Sequence, residues 1–217
     1  MLRINDTAPN FTANTTHGEI DFYDWAGDSY VMLFSHPKDF TPVCTTELGY
    51  VGALQEKFAS LNTKVIGISV DSVEDHHKWK GDIESSQGAS VDYPMIADSE
   101  LAVAKLYNML PAETAGGSEG RTAADNATVR TVFLIGPDKK IKMQLAYPMT
   151  TGRNFDELLR VIESIQLTAA HKVATPANWK QGEDVIVVPA VSDDDATAQH
   201  GAFKRVLPYL RMVKQPK

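Results

Sequence analysis

Two apolar patterns alternate along this chain. Tyr30–Ser35 (YVMLFS) and Lys64–Val70 (KVIGISV) are continuous apolar runs of strand length, as expected for strands covered on both faces. Elsewhere apolar residues recur every three or four positions. Leu48, Val51, Leu54, Phe58 and Leu61 predict one helix. Asp71-Ser72 caps a second over Val73–Ser86. Asn154 caps a third that runs to about Gln166, with Phe155, Leu158, Leu159, Ile162 and Ile165 facing inward.

Shorter signals fill the gaps. Strands are expected around Asn10–Ala13 and Glu19–Phe22, with a turn at Thr15-Thr16-His17-Gly18 between them. Tyr93–Ala97 reads as a strand and Ser99–Tyr107 as a helix. Residues 111–127, rich in Gly, Ala, Ser and Thr, read as a surface loop. Arg130–Ile135 and Lys140–Ala146 read as a hairpin turned by Gly136-Pro137-Asp138-Lys139. Strands that alternate with helices, then a hairpin and a last helix, predict an α/β fold with a mixed sheet flanked by helices on both faces. After about Thr168 the texture changes, and Pro176, Trp179 and Gly182 interrupt the pattern. The organisation expected is a main domain over 1–168 and a C-terminal extension over 169–217. The extension is too short to bury much alone, so it reads as an arm packed on the main domain or on a second subunit.

Composition narrows the partners. The chain has 217 residues, 43% hydrophobic and 23% charged, with a net charge of −7, and no long basic run. That balance disfavours nucleic acid and anionic membranes. No apolar stretch approaches the ~20 residues of a membrane span. Met1–Asp6 shows no secretory signal, so a cytoplasmic location is expected. The one cysteine, Cys44, excludes an intrachain disulfide and a C-x-x-C reductase, and fits a reducing compartment.

A lone cysteine is often only a small buried hydrophobe. The setting of Cys44 argues for chemistry. It follows a buried strand and a loop and sits at the start of a helix, with Pro42 suited to the first turn and Thr41 to the N-cap. A thiol there faces unpaired backbone N–H groups and the positive end of the helix dipole, both of which favour a thiolate nucleophile. The Thr41 hydroxyl is within reach of the sulfur or a bound peroxide oxygen. The developing negative charge calls for a cation, and arginine offers a permanent one with a fork of donors. Other motifs carry less. His76-His77 diverge on a helix and read as a solvated face rather than a metal site. Asp193-Asp194-Asp195 lacks the Gly and terminal Glu of a calcium loop and reads as a helix N-terminus. Gly116-Gly117-Ser118-Glu119-Gly120 has no Lys-Ser/Thr after it, so it is no phosphate loop.

The spacing Pro37-x-x-x-Thr41-x-x-Cys44 matches the peroxiredoxin active-site pattern. Three longer strings, HPKDFTPVCTTELG from His36, GPDKKIKMQLAYPMTTGRNFDELLR from Gly136 and VATPANWKQGEDVIVVP from Val173, resemble the one-cysteine, peroxiredoxin-6 subfamily. The resemblance implies a thioredoxin-like fold. It implies reduction of hydrogen peroxide and organic hydroperoxides through a Cys44 sulfenic acid. An external thiol such as glutathione, delivered by a glutathione transferase, would then resolve that acid, with no cofactor or metal. It also implies a homodimer. Carried over by position, Cys44 is the peroxidatic nucleophile, Thr41 hydrogen-bonds the peroxide, Pro37 shields the sulfur and Arg130 is the active-site arginine. Arg153 is a second arginine near the pocket, Glu47 a carboxylate of its hydrogen-bond network and His36 a pocket histidine. Glu47 is otherwise a first-turn dipole partner and His36 a loop histidine. Some subfamily members are assigned a phospholipase site of Ser, His and Asp. Ser29 and Asp138 match two members of that set, but Tyr23 stands where the histidine belongs, so negligible phospholipase activity is expected.

Overall fold

The two apolar runs form the middle of a sheet. In a computed structural model that describes residues 2–112 and 127–216, β3 (Tyr30–Ser35) pairs in parallel with β4 (Thr63–Ser69) and antiparallel with β6 (Arg130–Ile135). With β1 (Thr12–Thr15), β2 (Gly18–Asp21), β5 (Met95–Ala97) and β7 (Ile141–Tyr147), they make a seven-stranded mixed sheet in the order β2-β1-β5-β4-β3-β6-β7. Side chains alternate across a strand, so covering both faces requires apolar residues at successive positions. Val31, Leu33, Ile66, Ile68, Phe133 and Ile135 join one core with Phe22 and Ala26 of α1 (Phe22–Ala26) and Val103 and Ala104 of α5 (Ala102–Leu106). Phe34 turns to the other face, against the rings of Tyr93 and Phe155.

Helices α2 (Pro42–Ala53) and α4 (Val73–Gln87) pack together. Two glycines permit that closeness. A Cβ on Gly52 would stand 2.5 Å from the Ser90 carbonyl oxygen, and one on Gly49 2.4 Å from the Gln87 side chain. The helix expected to begin around Cys44 and run to Leu61 starts at Pro42 as expected but is in two parts. Leu54 leaves helical geometry (φ −96°, ψ 0°), and α3 (Gln55–Ser60) follows it. The first strands lie slightly later and earlier than expected, because Asp21 caps α1 by accepting from the Tyr23 and Asp24 amides. That five-residue helix is too short to show a period. Most of the loop read at 111–127, including Gly116–Gly120, lies outside the described residues.

The chain divides into two compact units, Met1–Phe155 and Asp156–Lys217. The division falls ahead of most of α6 (Phe155–Ala170), whereas the sequence reading placed it near 168. The second unit has its own sheet, in the order β10-β11-β9-β8, from Lys204–Leu207, Leu210–Val213, Val185–Val187 and Val173–Ala174. Trp179, Val173, Val185, Val187, Val191, Ala196 and Val213 form its core. Asp193-Asp194-Asp195 are the first turn of α7 (Asp193–His200), capped by the Ser192 hydroxyl, as a helix N-terminus should be.

Candidate active site around Cys44

The site is built where β3 ends. Pro42 takes the first position of α2, where a missing N–H costs nothing, and Cys44 is the third residue of that helix. Thr41 has the extended backbone of an N-cap (φ −119°, ψ 145°), but its side chain does not cap. Its hydroxyl donates instead to the Lys38 carbonyl at 2.8 Å, and its own carbonyl accepts the Thr45 amide at 3.0 Å. Thr41 thus holds the expected N-cap position without a side-chain cap hydrogen bond. The segment before α2 turns back on itself, and the hydroxyl finds a nearer acceptor there.

Antiparallel pairing of β3 with β6 sets Phe34 opposite Val132, which brings Arg130 beside the exit from β3. Arg130 Nη1 lies 3.4 Å from Cys44 Sγ and donates to Glu47 Oε2 at 2.7 Å, while Nε donates to the Met149 carbonyl at 2.8 Å. Glu47 is three residues after Cys44 and projects from the same side of α2. Arg153 closes the cluster. Its amide and Nε donate to Glu47 Oε1 at 2.8 and 2.9 Å, Nη2 to Oε2 at 2.7 Å, and Nη1 to the Thr131 carbonyl at 3.1 Å. Its guanidinium lies 5.3 Å from the ring centroids of both Phe34 and Phe155. Burial works against charge on Glu47. The hydrogen bonds and charge of Arg153, and then the charge of Arg130, outweigh it and hold the carboxyl below its usual range.

Cys44, Arg130, Glu47 and Arg153 are all buried, at 0%, 2%, 3% and 8% exposure. Two guanidinium groups against one carboxylate leave positive charge in excess beside the sulfur, placed to stabilise negative charge that develops there.

His36 and Pro37 are buried in the segment between β3 and α2. His36 Nε2 lies 2.7 Å from Asp39 Oδ1, and Asp39 Oδ2 lies 2.6 Å from Nδ1 of His76. His76 was expected on a solvated helix face. It is fully buried, because α4 turns that side toward the 36–41 segment, while His77 is exposed. Asp39 is not marked by any motif, and His76 is weighed in the sequence only as half of the His76-His77 pair. The three-residue spacing of His36 and Asp39 was the one available signal. Ser29, Tyr23 and Asp138 each have another partner. The Ser29 hydroxyl donates to Asn62 at 3.1 Å, the Tyr23 hydroxyl to the Ala8 carbonyl at 2.6 Å, and Asp138 accepts from Lys142 at 2.6 Å.

Comparison with known proteins gives the family. Residues 4–144 match the AhpC/TSA family, and residues 164–200 match the C-terminal domain of 1-Cys peroxiredoxin. Peroxiredoxin-6 of Rattus norvegicus is 49% identical over 226 residues, covering 99% of this chain and 98% of the relative. The mitochondrial peroxiredoxin PRX1 of Saccharomyces cerevisiae is 50% identical over 214 residues, covering 98% and 81%. Among solved structures, a cysteine-to-serine mutant of the peroxiredoxin 6 of Arenicola marina has a TM-score of 0.91 and 43% identity, covering 100% of both chains. The yeast mitochondrial 1-Cys peroxiredoxin has a TM-score of 0.87 and 47% identity, covering 99% of this chain and 100% of that one. With its single cysteine, its thioredoxin-like mixed sheet and its C-terminal extension, this chain belongs to the one-cysteine peroxiredoxins, the thiol-dependent peroxidases that resolve their sulfenic acid with an external thiol.

Proposed function

We propose that Cys44 is the peroxidatic nucleophile and that Arg130 is its electrostatic partner. The thiolate attacks one oxygen of the hydroperoxide, an S–O bond forms and the O–O bond breaks. Cys44 becomes a sulfenic acid, and the other oxygen leaves with a proton as water or alcohol. The observation that carries this reading is the excess guanidinium charge 3.4 Å from the sulfur. A donor already in place needs no reorganisation as charge passes from sulfur to oxygen. Glu47 and Arg153 act as the frame that holds Arg130. Thr41 serves the peroxide by exchanging its Lys38 bond for one to the substrate, and Pro37 and His36 close the pocket around the sulfur.

With one cysteine, the sulfenic acid has no resolving partner in its own chain. A foreign thiol must attack it, release water and form a mixed disulfide, which a second thiol then reduces. Glutathione fits that role, with a glutathione transferase as its carrier. The solved yeast relative was described in terms of thiol resolution through glutathione and thioredoxin systems. A homodimer is the expected assembly. β7 is the outer strand of the large sheet; Asn5 and Asp6 bond to Ile141 at its start, and the edge beyond that point is a template for a second copy. The proposed location is the cytoplasm. The hydrolase reading lacks a base at Ser29, whose hydroxyl is engaged by Asn62.

Peroxide consumption by wild type and Cys44→Ser, with glutathione, dithiothreitol and thioredoxin compared side by side, tests the central assignment. Turnover should vanish in the variant, and dimedone should trap a sulfenate on Cys44 of the wild type. Full turnover by Cys44→Ser would sink it.

A further inference from the structure

A second buried polar cluster lies beside the site, and the steps above do not use it. Asp39 sits between two histidines, and Asp39, His36 and His76 are all buried. Their facing donor atoms lie within 4.8 Å of one another, a grouping that resembles a metal site. The distances instead describe shared protons. His76 Nε2 is 3.2 Å from the Ile96 carbonyl, which can only accept, so Nε2 carries hydrogen. Each of the two contacts to Asp39, at 2.6 and 2.7 Å, needs one more.

Three protons are therefore required. With Asp39 as a carboxylate, two of them sit on His76 and one on His36 Nε2, and the trio is electrically neutral. His36 Nδ1 is then left without a proton, in keeping with its being buried with no hydrogen-bond partner. A fourth proton there would give a net buried charge with nothing to accept its hydrogen. Both bonds to Asp39 favour its ionised form and, against the effect of burial, bring its carboxyl down to about 2.

The trio also ties two parts of the fold together: His36 and Asp39 lie in the segment between β3 and α2, and His76 belongs to α4. The Asp39 amide is held by Asp71 Oδ2 at 2.8 Å, so Asp39 is fixed by side chain and backbone together. The next residue, Phe40, is in the left-handed region (φ 54°), which an aromatic side chain rarely adopts unless its neighbours impose it. After Phe40 come Thr41 and the first turn of α2.

We propose that Asp39 and His76 are positioning residues of this peroxidase. A carboxylate between a doubly protonated His76 and a His36 protonated at Nε2 clamps the strained segment that presents Thr41 and Cys44, and keeps His36 Nδ1 a bare acceptor. The proposal rests on Cys44 as the nucleophile only for its kinetic part, since the proton arrangement is read separately.

Long-range nitrogen-15 spectra of the histidine rings, assigned with single-histidine variants, read the arrangement directly in the wild-type protein. Both nitrogens of His76 should be protonated, and only Nε2 of His36. In Asp39→Asn the amide accepts from His36 and donates to His76, so His76 alone should lose its Nδ1 proton at unchanged pH. His76→Ala, which leaves one Asp39 oxygen unpaired, should slow sulfenate formation about tenfold, near 1.4 kcal/mol. Asp39→Asn, which can keep both hydrogen bonds, should slow it less. A neutral His76 in the wild type, a proton on His36 Nδ1, or stoichiometric zinc in the purified protein would overturn the proton arrangement. A wild-type rate in a folded His76→Ala, or no rate in any protein including the wild type, would overturn the positioning role while leaving the ring spectra to stand or fall alone. If His76→Ala does not fold, the ring spectra of the wild type and Asp39→Asn decide the arrangement. The rate of Asp39→Asn then decides the positioning role. A loss of tenfold or more despite the restored hydrogen bonds would overturn it.

Discussion

Replacing Arg130 by alanine tests the electrostatic reading most directly. Its Nη1 is 3.4 Å from Cys44 Sγ in a cluster closed to solvent. At that separation, with an effective dielectric constant near 20, a full pair of charges is worth about 5 kcal/mol. Not all of this is lost in the variant. Glu47, 2.7 Å from the same Nη1, already spends part of the arginine's charge, and Arg153 stays in place. Taking roughly half as the net effect gives about 2.7 kcal/mol, or about 100-fold in the second-order rate with peroxide. Arg130→Lys should fall between, because an ammonium keeps the charge but cannot serve Glu47, Met149 and the sulfur with one planar fork. Stopped-flow fluorescence suits the measurement, since the Trp79 indole donates at 3.3 Å to the hydroxyl of Thr45, the neighbour of Cys44. Single-turnover mixing with hydrogen peroxide, without a thiol donor, isolates sulfenate formation. If folded Arg130→Ala reacts within about threefold of the wild type, the charge balance described here does not drive the reaction.

Three further outcomes follow from the same structure. Glu47→Gln leaves two buried guanidinium groups without their carboxylate, so thermal or denaturant unfolding should show a loss of about 3–5 kcal/mol, and an unchanged stability would refute the cluster as drawn. Asp39 has a folded value of about 2 against an ordinary 3.8, so its contribution is complete above the ordinary value and is lost as pH falls toward the folded one. Acid titration of wild-type stability over that window should show a loss on the order of 2 kcal/mol that Asp39→Asn lacks, and equal slopes in the two proteins would count against it. Gly52→Ala, which would put a methyl group 2.5 Å from the Ser90 carbonyl, should destabilise the contact of α2 with the segment after α4 by about 1–3 kcal/mol, and a melting temperature equal to wild type would show that this segment gives way freely.

Much of the large sheet is legible in the chain. Continuous apolar runs such as Tyr30–Ser35 mark strands covered on both faces, and Val73–Gln87 shows its cap and length plainly. The break at Leu54 is not legible, because its apolar side chain continues the helical period across a backbone that departs from it. The short α1 is also hidden, since five residues carry no period. The spacing from Pro37 to Cys44 marks the nucleophile's neighbourhood because strand, loop and helix start are consecutive in sequence. What only the tertiary structure decided is how distant charges meet. Arg130 and Arg153 lie 83 and 106 residues from Glu47, and β-strand pairing brings the first of them to the carboxylate. His76 is 37 residues from Asp39 and reads as half of an exposed pair until α4 turns it inward. A helix period says which residues share a face, but what that face meets depends on the elements packed against it. The charge balance at Cys44 is settled at that level.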